Sequence, residues 1–314
     1  MKVKFWGARG SIPTPASPAA IEDKIRRALA AAVGLDLSTP QGIEECLRRL
    51  PAEVSHPIGG NTACIEVRAD GQLLILDAGS GLRALGLDLM RSEFGEGRGT
   101  ADFLISHTHW DHIQGLPFFQ PGFVAGNRLT FYSPHGHLQA ALAGQQEDNY
   151  FPVPLTYLRA DIRFERIPAQ TWSQLGRLRV YPLQVSHPGE NYCYRIEFGQ
   201  TSLVYATDTA YILSDPGGMQ VYVDLFRDVD LLIFDAQYSL DDALNRADWG
   251  HSSPEMGAEL AGRAGVRRLA LFHHDPASDD ATIYAGLRRA ETYLAEKGVD
   301  CQVLIAKEGL EIEL

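Results

Sequence analysis

The chain has 314 residues, of which 45% are hydrophobic and 22% charged, and its formal net charge is −12 at pH 7. This length and apolar content suffice for a large folded core and exclude an intrinsically disordered chain. The acidic balance argues against nonspecific nucleic-acid binding, because affinity for a polyanion comes mostly from Lys and Arg side chains. A small substrate is therefore expected and a nucleic-acid partner is disfavoured, although a bound metal would add positive charge that this count omits.

Export and membrane insertion are not predicted. The first residues, MKVKFWGARGS, contain no continuous apolar segment typical of a signal peptide, and no apolar run approaches the roughly 20 residues of a spanning helix. The cysteines are scattered and form no CxxC pair, so neither a disulfide framework nor a cysteine zinc site is indicated. We expect a cytoplasmic protein without a membrane partner.

Short apolar runs separated by turn residues indicate many strands alternating with fewer helices. In chain order the predicted strands are VKFW, CIEV, LLIL, DFLIS, LTFY, RLRVYPLQV, YRIEF, SLVYA, LLIF, RLALF and CQVLI. Helical periodicity is found at about residues 81–91, 112–119, 135–146, 254–264 and 279–297. This order fits two sheets packed face to face with helices outside, in a single domain over residues 1–314.

Residues 17–51 are predicted to form a helical hairpin inserted into this domain. Ser17 and Pro18 are placed to cap and start its first helix, and Thr39 and Pro40 repeat the arrangement for the second. The apolar residues at helical spacing are Ile21, Ile25, Leu29 and Ala32 in the first helix and Ile43, Cys46, Leu47 and Leu50 in the second. The insertion is interpreted either as surface decoration or as a lid over a site.

The stretch ISHTHWDHIQG, residues 105–115, follows a predicted buried strand. Alternate side chains of an extended segment share a face, so His107, His109 and Asp111 would point the same way, with His112 at the turn into a helix. Imidazole nitrogens and carboxylate oxygens are the ligands that zinc and similar ions bind. Four such groups buried together without a cation would leave donors and acceptors competing, so the pattern predicts a metal site.

One ion cannot use all four side chains and keep an open position for chemistry, so further ligands are expected at other strand ends. His187 in VSHPG, Asp208 in ATDTA and His273 in FHHDP each come directly after a predicted strand. Each alone is typical of a cap or a turn. Together with the first stretch, these placements favour one shared metal site.

The motifs HTHWDH, SH, ATDT, GHSS and LFHHDP together resemble the metallo-β-lactamase superfamily of binuclear hydrolases, over essentially the whole chain except the helical insertion. The segment WGHSSPEMGAELAGRAGVRRLALFHHDP is most similar to the phosphodiesterase branch, which includes tRNA 3′-end processing endonucleases and phosphoribosyl cyclic phosphodiesterases. The resemblance implies an α/β fold, a four-layer αβ/βα sandwich, with two divalent metal ions in the cleft between its sheets. Zinc is the expected metal, with manganese and iron as alternatives.

The resemblance also implies a role for each residue. The implied ligands are His107, His109 and His187 for one metal, Asp111, His112 and His273 for the other, and Asp208 as the bridge. Two such cations activate a shared water for attack on phosphorus and neutralise the phosphoryl group, so no protein nucleophile is needed. Asp111 is expected to act in catalysis as well, by orienting the hydroxide or accepting its proton.

His251 is the second expected catalytic residue. Its position is similar to that of the GHS histidine of the phosphodiesterase branch, where an imidazolium off the metal can bind a phosphate oxygen or donate a proton to the leaving alkoxide. The alternative is a loop histidine in front of the helix that Ser253 caps. His274 could take the ligand role in place of His273. If it does not, His274 is expected beside the site or on the surface.

Four more residues receive predictions. Asn61 in GGNT and Asp77 in LDAGSGL are candidates for hydrogen bonds to the metal ligands, equally with simple turn roles. Trp110, inside the first motif, is expected to pack in the interior. Tyr150 is expected in the core, with stacking on a base or sugar as the alternative.

The preferred function is that of a metal-dependent phosphodiesterase acting on a small or cyclic phosphodiester. The alternatives are a hydrolase of thioesters, lactones or β-lactams, an RNA-processing endonuclease, and a noncatalytic metal-binding module. The chain lacks the Gly- and Lys-rich arm typical of tRNA-processing relatives and the cysteine ligands of an extra structural zinc found in cyclic phosphodiesterases. The resemblance favours a homodimer, and the sequence does not identify the physiological substrate.

Overall fold

The computed structural model describes residues 1–211, 216–245 and 249–314. The strands are β1 (Lys2–Gly7), β2 (Cys64–Ala69), β3 (Gln72–Leu76), β4 (Thr100–Leu104), β5 (Arg128–Ser133), β6 (Asp161–Arg166), β7 (Ser173–Leu175), β8 (Leu178–Val185), β9 (Asn191–Phe198), β10 (Thr201–Ala206), β11 (Leu231–Asp235), β12 (Arg268–Phe272), β13 (Gln302–Ile305) and β14 (Glu311–Glu313). The helices are α1 (Pro18–Ala31), α2 (Pro40–Arg49), α3 (Ala52–Ser55), α4 (Gly81–Leu89), α5 (Trp110–Ile113), α6 (Leu138–Gly144), α7 (Pro216–Phe226), α8 (Leu240–Asn245), α9 (Pro254–Ala264) and α10 (Asp280–Lys297).

These strands form two sheets of seven, in the orders β14-β1-β2-β3-β4-β5-β6 and β13-β12-β11-β10-β9-β8-β7. Side chains that alternate along each strand divide between two sides of the sheet. On β3, for example, Leu74 and Leu76 join the core shared by both sheets, whereas Leu73 and Ile75 pack with α4 and α6. Helices α7, α9 and α10 cover the outer side of the second sheet. The predicted four-layer sandwich is confirmed.

Within each sheet, the strands that precede the candidate site run in one direction. β3 pairs with β4 in parallel, and β10, β11 and β12 are mutually parallel. β8 and β10 both pair with β9 in antiparallel fashion, so they also share a direction. Because equivalent ends of parallel strands meet at one edge, polar residues that follow these strands converge there.

The insertion contains the two helices that the sequence predicts. The Ser17 side chain accepts a hydrogen bond from the backbone of Ala20, and the Thr39 side chain accepts one from Gly42, so both caps form as expected. The single domain and its inserted segment at residues 17–51 stay predictions about domain organisation.

The apolar face of the first inserted helix is open to solvent. Ile25 is 53% exposed and Leu29 is 64% exposed. The hairpin is held to the rest of the chain by polar contacts, including that between Lys24 Nζ and Asp280 Oδ2 at 2.8 Å.

Two further sequence expectations can be compared with the fold. The helix expected at about residues 112–119 is wrong in extent: α5 is one turn, and 3₁₀ turns follow at Leu116–Phe118 and Gln120–Phe123. Pro117 and Pro121 lack the backbone N–H that a continuing α-helix requires. Among the described residues no helix combines the length and apolarity needed to cross a bilayer.

Candidate metal centre

Three polar residues that follow strands of the two sheets adopt unusual backbone conformations. Asp77 after β3, Asp208 after β10 and His273 after β12 have φ values of 57°, 50° and 58°. A non-glycine residue in the left-handed region costs about 1 to 3 kcal/mol and persists only where the surroundings over-determine it. The chain therefore leaves these strands in a way that turns three polar side chains toward one cleft.

The first group of candidate ligands consists of His107, His109 and His187. One ring nitrogen from each lies within 4.8 Å of the others. His187 Nε2 and His109 Nδ1 are only 3.0 Å apart, although His187 follows β8 and His109 follows β4. Two facing nitrogens at this distance need a proton or a cation between them.

The second group consists of Asp111, His112 and His273, all buried, with Asp208 beside them. Asp111 Oδ2 is 3.1 Å from His273 Nε2 and 3.3 Å from His112 Nε2. The two imidazole nitrogens are 3.2 Å apart. The backbone N–H of Ser11 donates to the same oxygen, Asp111 Oδ2, at 2.7 Å, which holds the carboxylate in place.

Asp208 lies between the two groups and presents one oxygen to each. Its Oδ1 is 3.3 Å from His112 Nε2 and 3.2 Å from His273 Nε2. Its Oδ2 is 3.7 Å from His107 Nε2 and 3.9 Å from His187 Nε2. This is the position that a bridging carboxylate would need, and the structure thus brings all seven sequence-predicted ligands together.

The outward-facing ring nitrogens are already engaged, which fixes the tautomers. His112 Nδ1–H donates to Asp77 at 2.7 Å, His187 Nδ1–H to the Gly250 carbonyl at 3.1 Å, and His273 Nδ1–H to Gln237 Oε1 at 2.9 Å. In the neutral form of each ring, the Nε2 lone pair consequently faces the cleft. His107 Nε2 is buried and has no hydrogen-bond partner in the described part of the chain. This donor set of bare imidazole nitrogens and carboxylates fits divalent metal ions.

Two glycines allow the histidines to approach so closely. A Cβ on Gly250, whose φ is 79°, would lie 2.1 Å from His187 Nδ1. A Cβ on Gly10 would lie 2.4 Å from the His273 ring. A side chain at either position would displace a candidate ligand, so these glycines are part of the site's construction.

Asp77 bonds to the candidate ligand His112, in agreement with the prediction that it bonds to a metal ligand. Its carboxylate is fully buried and accepts hydrogen bonds from Ser106 N, Ser106 Oγ, His112 Nδ1 and Tyr205 Oη at 2.6 to 2.7 Å. Sequence reasoning missed Ser106 and Tyr205. Their positions in or just after buried strands were the available signal. Asn61 instead accepts from Ser80 Oγ at 3.0 Å, in a turn contact.

The charges in the cleft shift the pKa values of the candidate ligands. Burial lowers the pKa of His187 to about 4 and holds that of His107 well below its usual range. Burial opposes ionisation of Asp208, but the neighbouring His273 and His112 outweigh it and hold the pKa of Asp208 well below normal. For His112 burial is outweighed in turn by Asp111 and Asp208, which raise its pKa. Buried carboxylates here demand a cation.

His251 lies beside the ligand groups without joining the seven. Its ring stacks on His273 with centroids 5.2 Å apart, and its Nδ1–H donates to Asp235 Oδ2 at 2.9 Å. Burial would lower the pKa of His251, but the charge of Asp235 and this hydrogen bond outweigh burial and raise the pKa to about 9. In the chain without metal, the bond to Asp235 therefore favours the imidazolium form of His251. No role for Asp235 is predicted from the sequence.

Three other predictions can be assessed. His274 does not exchange with His273, because its ring is 1% exposed and donates through Nε2 to the Ala306 carbonyl at 2.9 Å. The expectation that Trp110 packs in the interior is wrong, since it is 69% exposed. The core position expected for Tyr150 is also wrong, at 76% exposure. Trp110 extends from α5 between two candidate ligands, where a short turn leaves no neighbouring layer to bury it.

Comparison with known proteins places this geometry in context. A family model described as a beta-lactamase superfamily domain matches residues 74–274, a span that includes all seven candidate ligands. Ribonuclease Z from Halobacterium salinarum is 26% identical over 307 aligned positions, which cover 81% of this chain and 92% of that protein.

Two solved structures have a similar fold. The metallo-beta-lactamase fold protein YhfI from Bacillus subtilis has a TM-score of 0.65 at 18% identity, covering 100% of this chain and 98% of its own. Human tRNase Z, short form, has a TM-score of 0.60 at 18% identity, covering 100% of this chain and 99% of its own.

Proposed function

Because this chain belongs to the beta-lactamase superfamily and is a hydrolase of the metallo-β-lactamase fold, we propose that it is a metal-dependent phosphodiesterase for a small or cyclic phosphodiester. In this proposal, two divalent ions, with zinc as the first choice, are held by the seven converging side chains. The ions would be bound by His107, His109 and His187 on one side and Asp111, His112 and His273 on the other, with Asp208 between them.

When bound, the two ions supply an activated water at neutral pH and neutralise charge on the phosphoryl group. The protein's own residues then orient the attacking water and protonate the leaving group. Asp111 has Oδ2 fixed by the Ser11 N–H at 2.7 Å, so it can orient the attacking water and accept its proton. His251 can bind a phosphate oxygen or donate the Nε2 proton to the departing alkoxide, while Asp235 stabilises the imidazolium through Nδ1.

The observation that carries the choice of reaction is the His251–Asp235 pair. A buried carboxylate bonded to the far nitrogen keeps a cationic donor beside the candidate ligands, at a place where His251 has no ligand role in the proposed set. Hydrolysis of a thioester, lactone or β-lactam develops one carbonyl oxyanion and does not require this extra cation. A phosphodiester carries a negative charge from the start and leaves an alkoxide that must be protonated.

An RNA-processing endonuclease is the second candidate. The similarity to ribonuclease Z over 92% of that protein favours it, and the name of this relative does not fit the expectation that nucleic acid is a disfavoured partner. The net charge of −12 continues to favour a small substrate. Both candidates hydrolyse a phosphodiester, so they share the same proposed chemistry and differ in substrate size.

The test begins with purified full-length chain loaded with zinc, manganese or iron and assayed on bis-(p-nitrophenyl) phosphate. A panel of cyclic nucleotides, linear dinucleotides, precursor tRNA, thioesters and lactones then separates the candidates. We expect turnover of phosphodiesters and none of the carbonyl substrates. Preferential cleavage of precursor tRNA would replace the first choice by the second, and turnover of thioesters or lactones alone would overturn both.

His251→Gln provides the sharpest variant, because glutamine keeps a polar side chain but cannot be an acid. We expect turnover to fall about 10²- to 10⁴-fold, the usual contribution of a general acid, with the metal content unchanged. His274→Gln is the matched control for a neighbouring buried histidine outside the proposed machinery. Loss of metal in His251→Gln would mean that His251 is a ligand and that its role here is misassigned.

A further inference from the structure

A second cluster of metal-binding side chains lies beside the cleft and shares no residue with the seven candidate ligands. His135 and His137 follow β5 in the first sheet, and Glu190 comes directly before β9 in the second sheet. One ligand atom from each lies within 4.8 Å of the others. The cluster therefore joins two loops from different sheets.

His135 is the fixed member of this cluster. It is only 4% exposed, and its Nε2–H donates to the Ser106 carbonyl at 2.9 Å. In the neutral ring this bond leaves Nδ1 without a proton. That bare nitrogen faces Glu190 Oε2 at 3.2 Å, so two electron-pair donors meet at close range. A cation between them, either a second proton on the ring or a metal ion, must balance the contact.

The 3.2 Å separation fits two ligands of one metal ion as well as it fits an ordinary ion pair, and it is the third ligand group, His137, that favours the metal. Zinc–nitrogen bonds of 2.0 to 2.1 Å in tetrahedral geometry place neighbouring ligand atoms about 3.3 Å apart, close to the observed 3.2 Å separation. His137 is exposed and can turn its ring, which lies 5.2 Å from that of His135, toward the same point. Two imidazoles and one carboxylate form a ligand set common for zinc, with one position left for water.

We propose that His135, His137 and Glu190 form a third metal site, for a zinc-class divalent ion, that cross-links the two sheets at the edge of the cleft. The inference is independent of the proposed function. Its ion would tie the loop after β5 to the start of β9, and through the His135–Ser106 bond it would brace the residue that precedes His107. Its expected role is to stabilise the cleft wall.

The test counts zinc in the full-length chain after loading with excess zinc and desalting. His137→Ala and Glu190→Gln, both at exposed positions and thus safe for folding, should each bind one equivalent less than the wild type. His56→Ala is the matched control, because His56 is an exposed histidine away from this cluster. The proposal depends only on the difference of one equivalent. The equivalents that remain in the variants report separately on the seven-residue centre.

Crystals grown with zinc give a direct readout. An anomalous peak within bonding distance of His135 Nδ1 and Glu190 Oε2 is expected, and it should vanish in His137→Ala or weaken strongly. Equal zinc counts in wild type and both variants, with no peak, would show that the contact is only a His–Glu ion pair and overturn the proposal. An equal loss in His56→Ala would show adventitious binding to surface histidines and overturn it too.

Discussion

The carboxylate of Asp77 offers the most stringent test of how the centre is built. It makes no proposed metal contact, yet its Oδ2 accepts from Ser106 Oγ, His112 Nδ1 and Tyr205 Oη, and its Oδ1 accepts from Ser106 N. Asp77→Asn keeps the shape of the side chain and tolerates the left-handed backbone at φ 57°. The substitution therefore removes charge and one acceptor with little change in packing.

The expected cost follows from these contacts. The amide oxygen should take the Oδ2 position, because it then meets three donors, and the amide NH₂ is left against the Ser106 N–H. The Ser106 N–H and the amide NH₂ then both lack an acceptor, and each unsatisfied buried donor costs about 1 to 3 kcal/mol. Three charge-assisted bonds that become neutral lose about 1 kcal/mol each. We expect a loss of about 5 to 9 kcal/mol in the free energy of unfolding, which corresponds to a fall in Tm of about 10 °C.

Metal affinity should fall as well. In Asp77→Asn the His112 Nδ1–H meets a neutral oxygen in place of a carboxylate, so His112 becomes a weaker metal ligand, and mutation of such a partner weakens metal binding by about 10- to 100-fold. Competition with a chromophoric chelator measures this change, and thermal unfolding measures the stability. Only the metal on the His112 side should weaken.

Matched variants separate this effect from general damage to the core. Asp102→Asn alters a half-buried carboxylate that accepts from Gln72 at 2.7 Å, outside the site. Tyr205→Phe removes one donor to Asp77, whereas Tyr194→Phe removes an equally buried hydroxyl that donates to the Ile105 carbonyl at 2.6 Å. If Asp77→Asn bound both metals with wild-type affinity and lost less than 2 °C in Tm, the reasoning about this carboxylate would be refuted.

Three other outcomes are expected. Gly250→Ala should displace His187 and lower zinc affinity by about 10- to 100-fold, while Gly199→Ala, a positive-φ glycine with open space around it, should affect stability only. Trp110→Ala should raise KM about tenfold for a nucleotide phosphodiester and leave KM for a base-free analogue unchanged, because stacking on a base contributes about 1 to 3 kcal/mol; equal effects on both would exclude stacking. Chelation should lower Tm, and readdition of metal should restore it in a concentration-dependent way. At a thousandfold excess over Kd, each ion should add about 4 kcal/mol to the free energy of unfolding. A Tm insensitive to metal would contradict the proposed metal centre.

The sequence predicted the inner strands because burial on both faces makes them continuous apolar runs. It missed β6, β7 and β14, and each of these lies at the edge of a sheet. DIRFER in β6 is mostly exposed, and SQL in β7 and EIE in β14 are only three residues long. An edge strand has one neighbour and little apolar surface to bury, so its signal is weak.

The candidate ligands were predictable because His107, His187, Asp208 and His273 are polar residues that follow the ends of apolar strands, and His109, Asp111 and His112 stand in the same short motif as His107. Their supporting contacts obey no local rule. Tyr205 bonds to Asp77 from 128 positions away along the chain, and Asp235 bonds to His251 from 16 positions away. The exposure of Trp110 could not be predicted from the sequence either, because the motif does not show whether a neighbouring layer of the fold covers this side chain.

The charge balance of the cleft connects stability with function. Asp77, Asp111 and Asp208 are all buried, and burial lowers the pKa of the His107 and His187 imidazoles beside them. Without metal, the chain must place protons on some of these rings, which explains why the pKa of His112 rises while that of His107 falls. Divalent ions would replace those protons and release the imidazoles to act as neutral ligands. Folding and metal binding should therefore be coupled. The buried groups that destabilise the cleft without metal are the same groups that would bind the metal ions needed for catalysis.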